Sequence, residues 1–97
     1  YVAPKINCPM IVTENGIGKD DDEQRISYVK TALEGLQRWI DDGLDIRGYY
    51  YWSFLDNFEW LYGYKPRFGL IEVDRNTLER KSKKSLKFYQ EIIENSV

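Results

Sequence analysis

The chain of 97 residues has no histidine and only one cysteine, Cys8. That excludes an internal disulfide and leaves no spacing for a zinc site, so no metal or organic cofactor is expected and Cys8 reads as a small structural side chain. No apolar run approaches the ~20 residues that cross a bilayer, and no secretory leader pattern opens the chain. We therefore expect a cytoplasmic protein with no membrane partner. Charge of one sign is also missing: 14 basic residues against 16 acidic ones leave a net charge of -2, which argues against a nucleic-acid partner. The one basic cluster, Arg80-Lys81-Ser82-Lys83-Lys84, reads as a solvated face.

What remains is ordinary globular material about one small domain long, 42% hydrophobic and 15% aromatic. Many of the rings fall between Tyr49 and Tyr64 and would suit a core, an interface or a sugar platform equally. The chain starts at Tyr1, not Met, and residues 1–7 read as the tail of a helix or loop. We expect a piece of something longer.

Ile11-Val12-Thr13-Glu14-Asn15-Gly16 organises the chain. Met10 to Thr13 form a short β-branched strand, with Glu14 where the strand runs out into Asn-Gly. A carboxylate held by rigid backbone and facing a loop suits chemistry. Asn-Gly is also the commonest hairpin signal, which would make Glu14 an exposed turn residue. The next residues, Ile17 to Glu23, form no second strand, and beyond them the period becomes helical.

Asp21 caps a helix over about residues 22–41, with Gln24 three residues on in capping-box position and Asp22 and Glu23 in the first turn. Ile26, Val29, Leu33, Leu36 and Ile40 make one apolar stripe, which Asp42-Gly43 ends. A second strand follows within Leu44 to Phe54, with its centre over Ile46 to Ser53. It is aromatic on both faces, as in a parallel sheet covered by helices. The order strand, helix, strand then gives a right-handed βαβ unit, with Glu14 and the residues after Trp52 on one rim. Leu55 to Pro66 is a loop too aromatic to be disordered. Phe68 to Val73 form a short extension, Asp74 to Thr77 a turn, and a last helix spans about 83–94. Strands covered on both sides need neighbours on both edges, so we expect these elements to complete a larger sheet or barrel.

Thr13-Glu14-Asn15-Gly16 resembles a motif of glycoside hydrolase family 1, the β-glucosidase group. So do Gly48-Tyr49 through Trp52-Ser53-Phe54-Leu55-Asp56-Asn57-Phe58-Glu59-Trp60, and then Gly63-Tyr64, Arg67-Phe68-Gly69-Leu70 and Val73-Asp74. Arg25 and the terminal helix are family-like too. The resemblance spans nearly the whole chain and implies a (β/α)8 TIM barrel of which residues 1–97 are the last two βα units, strands seven and eight with their helices. It implies that Glu14 is the catalytic nucleophile, that Trp52 lies beneath the sugar, that Glu59 and Trp60 hydrogen-bond its outer hydroxyls, and that Phe68 walls the hydroxymethyl group. Asn57 is read as structural. The implied partners are a β-glucoside substrate and the remaining N-terminal segments of the barrel. Retention of Glu59-Trp60 points to a non-phosphorylated glucoside, with galactosides or fucosides also accommodated. The family's acid/base lies in an Asn-Glu-Pro segment that this chain does not contain, so retaining hydrolysis needs the rest of the barrel. The competing readings are a non-catalytic split or designed fragment, and a sugar-binding relative without turnover. A protein interface is disfavoured by the acids interleaved in the aromatic loop.

Overall fold

The computed structural model describes residues 7–96; the expected tail over residues 1–7 lies, apart from Asn7, outside them. The elements run β1 (Met10–Asn15), α1 (Asp22–Asp41), β2 (Ile46–Tyr51), a 3-10 turn (Trp60–Tyr62), β3 (Ile71–Val73), β4 (Arg80–Ser82) and α2 (Lys84–Asn95). β1 and β2 pair in parallel, with Met10 opposite Ile46, Val12 opposite Tyr49 and Asn15 opposite Tyr51. The expected strand–helix–strand unit is therefore present, and both strands end on one rim. β1 is longer than expected, so Glu14 lies within the strand and not beyond it. β2 is shorter, because the ladder stops at Tyr51 and Trp52 turns into the loop.

α1 has the expected bounds, but its cap works differently. Asp21 accepts from the Glu23 N–H at 3.0 Å, so the bond goes to the second helical residue and Gln24 is not the partner. The helix stops where Gly43 adopts φ +99°, a left-handed conformation that favours glycine. Of its apolar stripe only Val29 is fully buried and Ile40 is exposed, while Arg25, one turn before Val29, is completely buried. Among the described residues, Val29 and Leu70 are the only buried hydrophobic side chains; most of the apolar faces here are half-covered. Cys8 is exposed rather than packed as a small core residue.

The basic cluster is not simply a solvated face. Arg80–Ser82 form β4, antiparallel to β3 with Ile71 opposite Ser82. Asp74 closes the hairpin by accepting from the Asn76 and Thr77 N–H groups at 2.8 and 3.0 Å. Lys83 turns inward to Asp56 at 2.9 Å: a buried carboxylate within reach outweighs the lysine's preference for water. α2 begins directly afterwards and packs Tyr89 against Tyr49 and Tyr51 of β2, with ring centroids 6.3 Å apart in both pairs. Its first turn is capped by α1, since Asp22 accepts from both the Ser85 N–H (2.8 Å) and the Ser85 hydroxyl (2.6 Å).

Candidate active site

The rim is assembled where the two parallel strands end. The Trp52 N–H donates to the Asn15 carbonyl at 3.0 Å, which carries the β1–β2 pairing one residue past the ladder. A side chain at Gly16 would put its Cβ 1.8 Å from the Trp52 carbonyl oxygen, so only glycine permits this approach. Asn15 is held from behind: its amide donates to the Tyr28 hydroxyl (3.1 Å) and its oxygen accepts from the Tyr49 hydroxyl (2.9 Å). Burial, with Tyr89, Tyr28 and Tyr51 close by, raises the Tyr49 pKa well above its ordinary 10.0, so this donor stays protonated. The backbone around Glu14 is thus fixed, while its carboxylate is exposed and makes no hydrogen bond or ion pair among the described residues.

Trp52 is 38% exposed, and its indole N–H donates to Glu59 at 3.3 Å. Glu59 and Trp60 sit in a tight closure in which the Glu59 N–H donates to the Gly63 carbonyl at 2.7 Å and the Gly63 N–H returns to Trp60 at 3.0 Å. Trp60 takes φ +50°, an uncommon conformation for a large side chain and one that leaves its ring 82% exposed. Behind it, Phe58 packs edge-on against both Trp60 and Tyr64, and the Arg75 guanidinium lies 4.3 Å over the Tyr64 ring. Glu59, Trp60 and Phe68, with Gly18 and Pro66, line an open groove of about 440 Å³. A Cβ on Gly18 would come within 2.8 Å of the Phe68 ring.

Trp52, Glu59, Trp60 and Phe68 therefore converge around the loop after β2. Glu14 stands near the end of the adjacent strand and forms no hydrogen bond or ion pair with them. Asn57, read as structural, has its side-chain oxygen buried without a partner among the described residues.

Sequence reasoning gave Arg25 no role, yet it is the hub beneath the rim. Its guanidinium donates to the Lys19 and Arg67 carbonyls and pairs with Asp22 at 2.8 Å. It thereby joins the loop after β1 to the segment that leads into Phe68. The Tyr51 hydroxyl reinforces the link by donating to the Phe68 carbonyl at 2.7 Å. The available signal was the i, i+4 placement of Arg25 below Val29 on the inner side of α1.

Parallel strands joined by a helix, with Glu14 near the carboxyl end of one and Trp52 just after the other, define an α/β protein. The description glycosyl hydrolase family 1 matches residues 3–97, and the chain belongs to that family. It is 45% identical over 96 residues to beta-glucosidase A of Acetivibrio thermocellus, an alignment covering 90% of this chain and 21% of that protein. It is 42% identical over 98 residues to a bifunctional beta-D-glucosidase/beta-D-fucosidase of Bifidobacterium breve, covering 88% and 21%. Among solved structures it superimposes on the beta-glucosidase of Thermotoga maritima in complex with glucoimidazole with a TM-score of 0.93 at 36% identity, covering 97% of this chain and 24% of that one. These structural relatives are TIM-barrel enzymes, and the chain spans about a fifth of the length of the curated relatives it matches.

Proposed function

We propose that residues 1–97 form the last two βα units of a (β/α)8 retaining β-glycosidase that acts on non-phosphorylated β-glucosides. In this reading the Glu14 carboxylate attacks the anomeric carbon and forms a glycosyl ester as the glycosidic bond breaks. The leaving oxygen takes a proton from an acid supplied by another segment of the barrel. That same group then deprotonates the water that hydrolyses the ester. The two carboxyl groups of such a pair stand about 5 Å apart. Trp52 offers a flat apolar surface to the sugar, and Glu59, with one oxygen engaged by the Trp52 indole, keeps the other for hydroxyls. Trp60 donates its N–H, and Phe68 closes the wall.

The observation that carries the proposal is the parallel ladder that ends at Asn15 and Tyr51. It supports a Glu14 and a Trp52 set side by side on one rim, as a nucleophile and a sugar platform require. The Bifidobacterium breve relative, named for both glucosidase and fucosidase, supports some latitude at the hydroxyls that Glu59 and Trp60 would read.

The test is to label the enzyme that contains this chain with an activated 2-deoxy-2-fluoro-glucoside and map the peptides. A single fluoroglucosyl adduct on Glu14 is expected. Turnover of a β-glucoside with the adduct on a different carboxylate, or with none, would overturn the assignment.

A further inference from the structure

Lys83 sits where a helix start disfavours it. It is the N-cap of α2, a position that suits an acceptor side chain, and its cation opposes the helix dipole. It makes no side-chain cap bond; Asp22 of α1 caps that turn instead. The lysine is directed elsewhere. Its ammonium donates to Asp56 at 2.9 Å and to the Gly69 carbonyl at 2.8 Å, and the two charged side chains are only 13% and 7% exposed.

Asp56 is engaged through one carboxylate oxygen and both of its backbone polar groups. The same carboxylate oxygen accepts from the Gly69 N–H at 2.9 Å. The Asp56 N–H donates to the Ile71 carbonyl at 3.0 Å, and its own carbonyl accepts from Arg75. A Cβ on Gly69 would lie 2.2 Å from the Asp56 nitrogen, so the two arms of the loop touch backbone to backbone. One arm leads from Trp52 through Asp56 to Glu59 and Trp60; the other leads from Pro66 through Phe68 to Gly69.

A buried ion pair is a poor source of net stability, because desolvation of the two charges offsets their attraction. What it does supply is geometry, here at the expense of a regular helix cap, and broken local rules concentrate where function needs them. We propose that Asp56 and Lys83 are positioning residues: their pair clamps the two arms together and sets how Glu59, Trp60 and Phe68 meet the outer hydroxyls of the sugar. The inference rests on the glycosidase reading above.

The test compares 4-nitrophenyl β-glucoside with its 4-deoxy and 6-deoxy analogues in the enzyme that contains this chain, unmodified and as Lys83→Met. The preference of the unmodified enzyme for the glucoside is expected to fall about tenfold, the worth of one well-made hydrogen bond. kcat/KM on whichever analogue lacks the contacted hydroxyl should stay within about threefold, because a clamp that orients hydroxyl contacts adds nothing where the hydroxyl is missing. Lys83→Arg, which can span both acceptors, should recover part of the preference. If Lys83→Met does not fold, Asp56→Asn keeps the side-chain shape and removes the charge, and it should lower the preference in the same way. Equal losses on all three substrates, or an unchanged preference in a folded variant, would overturn the inference while leaving the glycosidase reading intact. No turnover by the unmodified enzyme would overturn both.

Discussion

Replacing Gly16 by alanine tests the rim where its geometry is tightest. The new Cβ would lie 1.8 Å from the Trp52 carbonyl oxygen and 2.9 Å from its carbon, whereas real Cβ contacts essentially never fall below 3.0 Å. Both obstructing atoms are backbone, so no side chain can swing away. The ends of β1 and β2 must separate by 1.2 Å, the difference between 3.0 and 1.8 Å. That displacement takes the Trp52-to-Asn15 hydrogen bond, now 3.0 Å, beyond bonding range. Overpacking of this kind costs about 1–3 kcal/mol of stability. A misplacement of ~1 Å between the proposed nucleophile and the sugar platform costs about 10²-fold in rate. We therefore expect Gly16→Ala, in the enzyme that contains this chain, to lower kcat/KM on a β-glucoside and the rate of fluoroglucoside labelling by about two orders of magnitude, with Tm down by several degrees. Gly35→Ala is the control: the nearest atom to its Cβ is an Arg38 nitrogen at 3.8 Å, and a glycine inside α1 should gain up to about 1 kcal/mol on becoming alanine. Turnover of Gly16→Ala within threefold of the parent would refute the claim that this close approach sets the rim.

Other substitutions probe what surrounds it. Arg25→Met leaves the Lys19 and Arg67 carbonyls without their donor and should lower stability by about 3–5 kcal/mol, measured by denaturant unfolding. Burial opposes ionisation of Asp22, but hydrogen bonds from Ser85 and Arg25 and the Arg25 charge prevail and hold its pKa below the ordinary 3.8. Because the folded-state value is the lower one, its stabilising contribution is full above pH 3.8 and is lost as the pH falls through the folded-state value. Asp22→Asn should thus unfold more readily than the parent at neutral pH, with the gap narrowing below pH 3.8. Glu59→Gln should cut kcat/KM on glucosides by about ten- to a hundredfold, the range for a hydrogen bond to a charged group, and by less on sugars that lack the contacted hydroxyls; equal losses would remove Glu59 from its assigned role.

How far the sequence could be read depends on the range of the interaction that decides each element. α1 was legible end to end because an aspartate starts it and Asp42-Gly43 stops it, both local signals. The parallel pairing of β1 and β2 followed from the helix between them and from a second strand that is aromatic on both faces. The grouping of Trp52, Glu59, Trp60 and Phe68 came from the family resemblance of the motifs that contain them, since their spacing alone does not bring them together. Lys83 was not, since a lysine in a run of cations looks solvated until Asp56, 27 residues earlier, is brought beside it. Arg25 was obscured similarly: the acceptors that tie it to the loop after β1 and to the segment before Phe68 are backbone carbonyls, which leave no mark on residue type. The extension of β1 through Glu14 also went unread, because the pairing of Asn15 with Tyr51, rather than propensity, carries the strand past Glu14.

The first turn of α2 is completed by a side chain that precedes it by 63 positions. A helix of this length is marginal in water by its own propensity, and here it lacks its own cap. Its formation is therefore conditional on α1 being in place, so the two helices should gain hydrogen-exchange protection together as one cooperative unit. The intervening β3–β4 hairpin, by contrast, can lengthen or shorten at its Asp74 to Leu78 tip without disturbing that bond. Tolerance of insertions would then stop abruptly at Lys83, where chain connectivity begins to carry the fixed distance back to Asp22.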